Sequence, residues 1–378
     1  MKDKIIDTYK KRFGQCQIYV NAPGRANIIG EHTDYNHGLV LPFAIEQSIG
    51  MAIGQNSLKK LRLVALDVDE EFEMDLMNIS FKTDGWSRYF INSLVALSHS
   101  ITDGIDVVFG GNLPQGGGVS SSSALTCGFL SGINQLFEYK HDLASIIDLA
   151  SQAENGIGLN GGVMDQTAIL EGKKGKAMII DFLNLTTTEI NIPTNEFRFY
   201  IFNSGQKHNL VDTEYNKRRA TCDAVVRQVS AIDPSVNTFR QVTLFHIENV
   251  VDGEVAKKRA IHVIEENERV RKAATALSQD KFELLGPLID QSHESLSKNY
   301  EVSTPEIDYL VHCSRQISNL IGARIMGGGF GGCTINLVKG KLEKEDIIKL
   351  KSRYQSRTNF ELSILEVNAS DGVRVERV

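Results

Sequence analysis

Two periodicities alternate along the chain. Short apolar runs, QIYVNA, IDVVFGG, KAMIIDF, RFYIFNS and CTINLV, have the length and the β-branched or aromatic content of strands. Between them, apolar residues recur three and four positions apart. Cys127, Leu130, Ile133 and Phe137 form such a stripe after Ser123 and predict a helix with one buried face. A further helix is predicted over 143–155, ended by glycines at 156, 158, 161 and 162, which open a loop delivering Asp165. The opening MKDKIIDTYK is amphipathic, lacks the uninterrupted apolar stretch of a secretory signal, and reads as part of a first helix. Strands interleaved with helices predict an α/β protein of the α+β type.

At 378 residues the chain exceeds what one core usually serves, so two domains are expected. The stretch from Leu183 to Phe197 turns polar, rich in Thr and Asn, and contains Pro193. It places the boundary near residue 195, between a domain spanning 1–195 and one spanning 196–378.

Composition narrows the class. No apolar run is long enough for a bilayer, so no membrane association is expected. A net charge of −6 leaves no global basic footprint for nucleic acid. The five cysteines are odd in number, widely spaced and form no CxxC pair, which suits a reducing compartment and a cytoplasmic location. Small molecules are the expected partners, with no obligate protein partner.

Four segments carry candidate chemistry. GGNLPQGGGVSSSSAL, residues 110–125, leads from a strand into a helix through three glycines and four serines. Glycines let backbone N–H groups approach an anion, serine hydroxyls add donors or a magnesium ligand, and the helix start adds positive potential. A flexible turn with serine caps is the plainer reading, but this density at a strand-to-helix junction favours a triphosphate site at Gly116, Gly117, Gly118, Val119, Ser120, Ser121, Ser122, Ser123 and Ala124. The P-loop pattern GxxxxGK[ST] is absent, because the Gly-Lys pairs at 172, 175 and 340 lack its remaining residues. GGGFGG at 327–332 satisfies GxGxxG, yet a strand follows it instead of a helix. A tight connection between two strands is as good a reading of that cluster as a binding loop. APGRANIIGEHTDYNHG, residues 22–38, crowds Arg25, Glu31, His32, Asp34, Tyr35 and Asn36 into one loop, as directional recognition of a sugar's hydroxyls requires. A solvated loop or an EHxD metal site are the alternatives, the metal weakened by the lack of nearby His or Cys. In NGGVMDQ, Asp165 follows glycines and is a candidate proton acceptor, although a lone loop Asp is more often a cap.

In this order and spacing, PGRANIIGEHTDYN, GGGVSSSSAL and GGGFGGC resemble the three signature motifs of the galactokinase, homoserine kinase, mevalonate kinase and phosphomevalonate kinase superfamily. GRANIIGEHTDYNHGLVLPFAI is close to the signature of its galactokinase family, and VMDQ, FNSGQKHNL, DTEYNKRR and QSHESLSKNYEVSTPEID look like further counterparts. The resemblance implies two domains with an active site in the cleft between them, and phosphoryl transfer from ATP to C1 of galactose. It assigns Asp165 as the acid beside the reacting hydroxyl and Arg25 as its cation. Glu31, His32, Thr33, Asp34, Gly162, Asp165 and Tyr215 would hold the sugar, and Ser122 and Glu154 a magnesium ion. Relatives acting on N-acetylgalactosamine or arabinose, and a non-catalytic sensor of galactose and ATP, are the competing readings. Thr33 before Asp34 favours plain galactose, and an intact Arg25 and Asp165 disfavour the sensor. Met326 replaces a common threonine, the Glu154-to-Asp165 stretch is one residue short, and Ser123-Ala124 inverts the usual Ala-Ser order.

Overall fold

The computed structural model describes residues 1–78, 85–97, 103–114, 118–158, 161–192, 196–206 and 211–378, with the side chains of 211–213 excepted. Its strands are β1 (Ile18–Asn27), β2 (Leu39–Val40), β3 (Pro42–Asn56), β4 (Lys60–Ala65), β5 (Glu70–Asp75), β6 (Gly104–Gly111), β7 (Lys176–Asp181), β8 (Thr186–Asn191), β9 (Phe197–Asn203), β10 (Leu320–Met326), β11 (Cys333–Lys339), β12 (Ser363–Val367) and β13 (Arg374–Arg377). The helices are α1 (Lys2–Phe13), α2 (Ser87–Leu97), α3 (Ser121–Leu136), α4 (Leu143–Asn155), α5 (Met164–Glu171), α6 (Val211–Ser230), α7 (Leu244–Asn249), α8 (Glu254–Ser278), α9 (Leu285–Lys298), α10 (Pro305–Ser314) and α11 (Lys344–Thr358). All five strand-like runs are strands, and the helix predicted over 143–155 is α4.

The first sheet runs β13-β1-β3-β6-β4-β5, antiparallel except where β4 lies parallel to β6. Strand periodicity splits its residues between two faces. Ile18, Val20, Met51, Ile53, Val107 and Phe109 pack toward α2, α3 and α4, while Tyr19, Ala52 and Val108 meet Ile5, Ile6 and Tyr9 of α1. Helix α3 lies close on this sheet because it presents glycine there; a Cβ at Gly128 would stand 2.7 Å from that of Ala22. The approach brings the serine-rich start of α3 to the end of β1.

The second sheet, β10-β11-β9-β12, is antiparallel, and on one side Tyr200 and Phe202 pack with Leu310 of α10 and Leu350 and Tyr354 of α11. A third, β2-β7-β8, lies next to the loop that follows β1. The largest core joins both main sheets, with Phe43 and Phe199 rings 5.5 Å apart. After β12 the chain returns to pair β13 with β1. The expected boundary near 195 falls at 193–195, outside the described residues.

All five cysteines are free and buried. Among the described residues, no helix is long and apolar enough to cross a membrane. Trp86 is partly buried against the largest core, beside Phe90 and Phe109.

Candidate active site

Three segments distant in sequence meet where β1 ends. Arg25 lies just past a register irregularity in the β1–β3 pairing, which separates it from Pro23. Its backbone N–H donates to the Val119 carbonyl at 3.1 Å, and its Nη1 donates to the Gly118 carbonyl at 2.5 Å. The strand that carries the arginine is thus tied directly to the Gly/Ser loop. From the other side, Nε and Nη2 donate to Asp165 Oδ1 and Oδ2 at 2.6 and 2.9 Å, and the Ser120 hydroxyl donates to Oδ2. Asp165 stands in the first turn of α5 and not in the loop itself, so a helix start fixes its direction. Burial disfavours the Arg25 charge, yet the Asp165 carboxylate outweighs it and holds the arginine pKa above its ordinary value.

The loop after β1 carries Glu31, His32 and Asp34. His32 adopts a left-handed φ of 62°, a conformation that costs a non-glycine residue on the order of 1 kcal/mol and needs outside support. Asn36 Nδ2 supplies part of it, donating to the His32 carbonyl at 2.8 Å, while His32 Nδ1 and the Tyr35 hydroxyl lie 2.8 Å apart. Tyr215 of α6 packs its ring 5.2 Å from His32.

A cavity of about 170 Å³ opens among these groups. Arg25, Glu31, His32, Asp34, Gly162, Asp165 and Tyr215 line it, as do Ser122 and Glu154. Gly327 and Gly328, between β10 and β11, complete the wall, so GGGFGG is both a connection between strands and part of the site. Gly162 admits no side chain, because a Cβ would stand 2.2 Å from Asp34 Oδ2.

Four carboxylates of this wall interact. Burial, helped by the Asp165 and Glu31 charges and opposed by the Tyr35 backbone N–H, pushes Asp34 up to about 7. Burial also raises Glu154 to about 7, with Asp165 adding to the effect and the hydroxyls of Ser123 and Thr126 opposing it. Thr126 Oγ1 donates to Glu154 at 3.0 Å.

Not every expected residue faces the cavity. Thr33 does not line it: its buried hydroxyl lies 2.9 and 2.7 Å from the carbonyls of Gly30 and Leu39, closing the loop from within. Val119 and Ala124 turn their side chains into the core, the Ala124 N–H donates to the Ser120 carbonyl at 2.9 Å and so is not offered to an anion, and Ser123 is buried with them beside Glu154. Ser121 is half-buried at the start of α3, and Gly118 stands with φ +64° against Cys333. Gly116 and Gly117 lie outside the described residues, as do positions 207–210 of FNSGQKHNL.

Met326 is fully buried in the core, its sulfur accepting the Asn27 backbone N–H at 3.3 Å, and it does not line the cavity. Arg324 escaped the sequence reading altogether. Fully buried, it donates to the carbonyls of Asn27 at 2.5 Å and Ile28 at 2.8 Å, and from two nitrogens to Glu31 Oε1 at 3.1 Å. Gly327 N–H donates to the same oxygen at 3.0 Å, joining the first motif to the third. An arginine inside the apolar run LIGARIM, directly ahead of the glycines, was the available signal.

Comparison with known proteins places this site in context. Residues 7–55 match the galactokinase galactose-binding signature, 88–173 the GHMP kinases N terminal domain, and 273–354 the GHMP kinases C terminal model. A galactokinase of Clostridium acetobutylicum is 33% identical over 387 aligned positions, covering 99% of this chain and 98% of that protein. One from Thermotoga neapolitana is 36% identical, covering 94% and 99%. The crystal structure of Lactococcus lactis galactokinase complexed with galactose superposes with a TM-score of 0.88 at 27% identity, covering 98% of each chain. Methanococcus jannaschii mevalonate kinase shares the fold, with a TM-score of 0.65 at 17% identity over 95% of this chain and all of that one. The chain is therefore a member of the galactokinase family, within the GHMP kinases.

Proposed function

We propose that the chain transfers the γ-phosphoryl group of ATP to the anomeric C1 hydroxyl of D-galactose, yielding galactose 1-phosphate and ADP. The observation that carries this reading is the convergence of the Arg25–Asp165 pair, the Glu31, His32 and Asp34 loop, and Ser122 with Gly327 and Gly328 on one cavity. A kinase site must hold a hydroxyl donor and a polyphosphate within reach of one base, and this wall offers groups suited to each.

In the proposed mechanism, Glu31, His32, Asp34 and Tyr215 orient the sugar so that its C1 hydroxyl meets Asp165. Asp165 takes the proton as the oxygen attacks the γ-phosphorus and the bond to the β-phosphate oxygen breaks. The Arg25 fork fixes the direction of the carboxylate and places positive charge beside the developing negative charge. Backbone N–H groups of 118–123 and of Gly328 serve the phosphates.

A magnesium ion fits the donor set. Among the described residues no cluster of three or more His, Cys, Asp or Glu forms a closed metal cage. Magnesium is commonly held by one or two carboxylates with phosphate and water oxygens, and the buried Glu154, which lines the same cavity as Ser122, suits that habit. A cation there would offset the Asp165 charge that helps to raise Glu154. When bound, it would neutralise charge on the phosphates of ATP.

The two domains are proposed to divide near residue 195, and the buried free cysteines support a cytoplasmic location. A sugar panel tests the substrate. Purified protein with ATP and magnesium should turn over galactose far faster than N-acetylgalactosamine, arabinose or glucose. Preference for another sugar would replace galactose as substrate, and sugar and ATP binding without turnover would support a sensor.

A further inference from the structure

Helix α8 carries a buried polar cluster that the proposed chemistry does not use. Glu266 is fully buried; its Oε1 accepts the Gly30 N–H at 2.9 Å and the Ser292 hydroxyl at 2.6 Å, and its Oε2 accepts Arg269 Nε–H at 2.7 Å. One turn earlier, His262 Nε2 lies 3.2 Å from the Glu31 carbonyl, and its Nδ1 lies 2.9 Å from Ser295 Oγ. Burial lowers the His262 pKa to about 4, so the ring is neutral, and Nε2 carries the proton that the carbonyl accepts. Asn267 Oδ1 accepts the Leu39 N–H at 2.7 Å, at the far end of the same loop.

These three side chains stand at i, i+4 and i+5 on one helix and grip main-chain groups of residues 30, 31 and 39. The gripped segment contains Gly30, at φ +105°, and the left-handed His32. A buried carboxylate is a costly way to fill space, since an apolar residue of similar volume packs there without desolvating a charge. It is suited to fixing a backbone donor, because a charged acceptor makes a shorter and stronger hydrogen bond than a neutral one.

We propose that Glu266, assisted by His262, is a positioning residue that sets galactose affinity by holding the backbone at Gly30 and Glu31, and so aiming Glu31 and His32 into the cavity. This rests on reading that cavity as the sugar site. Neither Glu266 nor His262 lines the cavity, so the effect on sugar is indirect and separable from the phosphate side.

The test uses steady-state kinetics of the full chain. Glu266→Gln keeps shape but loses the charge, and its single amide oxygen cannot serve both Gly30 and Arg269. The galactose KM should rise about tenfold, with the ATP KM within about twofold and kcat within about threefold. Ser292→Ala removes one donor from the same oxygen and should shift the galactose KM in the same direction by about twofold to threefold. The Gly30 amide proton, followed by selective glycine labelling, should move upfield in Glu266→Gln while glycine amides remote from Glu266 keep their shifts, a pattern that general loosening of the core does not produce. If Glu266→Gln fails to fold, Ser292→Ala and His262→Gln carry the measurement. An unchanged galactose KM in folded variants, or sugar and ATP KM values rising together, overturns the positioning role while leaving the sugar site intact. No galactose turnover by the unmodified protein would overturn both.

Discussion

Arg25 holds Asp165 by two parallel N–H···O bonds, 2.6 Å from Nε to Oδ1 and 2.9 Å from Nη2 to Oδ2. Its remaining Nη1 donates to the carbonyl of Gly118 in the Gly/Ser loop. One side chain therefore aligns the proposed base and ties it to the loop assigned to phosphate. Lysine has a single nitrogen and cannot reproduce both contacts. Arg25→Lys is expected to fold, because the pair keeps its opposite charges, and to lose roughly 10²-fold in kcat. A kcat within threefold of the unmodified protein would show that fork geometry is irrelevant to the reaction.

Gly162 tests the fit of the sugar wall. Alanine there would put a methyl carbon 2.2 Å from Asp34 Oδ2, far inside contact distance. Asp34 would have to rotate out of the cavity. Gly162→Ala should raise the galactose KM by at least about tenfold, worth roughly 1.4 kcal/mol of binding, with a smaller change in the ATP KM. Calorimetric titration with galactose would check this, and unaltered affinity would remove Asp34 from the sugar contacts.

The Asp34 carboxyl links stability to pH. Burial, with the Asp165 and Glu31 charges adding, raises it from 3.8 to about 7, so the folded chain binds this proton more tightly than the unfolded chain. Its contribution to stability is complete below about pH 4 and is lost as pH rises through about 7. Asp34→Asn should therefore raise the unfolding temperature of the ligand-free protein by a few degrees at pH 8 and change it little at pH 4.5. Thermal unfolding at the two pH values measures the difference, and a variant less stable at pH 8 would contradict it.

Met326 separates packing from chemistry. It stands where a threonine is common in the family, but the side chain is buried in the core, its sulfur accepting the Asn27 N–H. Threonine is shorter and would leave a void where the methionine sulfur meets the Asn27 N–H. Met326→Thr should cost about 1–3 kcal/mol of stability, read by urea unfolding, with the order of preference among sugars unchanged. A switch in sugar preference without loss of stability would return this position to the substrate site.

Much of this is legible in the sequence. Helix α4 follows from its apolar spacing and closing glycine, and the five strand runs from their length and β-branched content. The site motifs were legible because their chemistry is compressed into short segments: 22–38 contributes four cavity residues, Arg25, Glu31, His32 and Asp34. What could not be read was direction and distance. Thr33 and Asp34 are adjacent, yet one closes the loop and the other faces the cavity, because a short 3-10 turn at Asp34–Asn36 sets side-chain direction there. Arg324 and Glu266 act across 293 and 236 residues of sequence, and no local pattern marks such a partnership. The pairing of β13 with β1 is equally non-local.

The central claim, phosphoryl transfer to C1 of galactose with Asp165 as the proton acceptor, is met most directly by one NMR experiment. Purified protein is incubated with ATP, magnesium and galactose, and the phosphorylated carbon is identified from its coupling to phosphorus, with glucose and an Asp165→Ala sample alongside. The account predicts rapid formation of galactose 1-phosphate, none from glucose, and a rate reduced by roughly 10²–10⁴ in the variant. Phosphate on another carbon, no galactose turnover, or full activity in Asp165→Ala would contradict it.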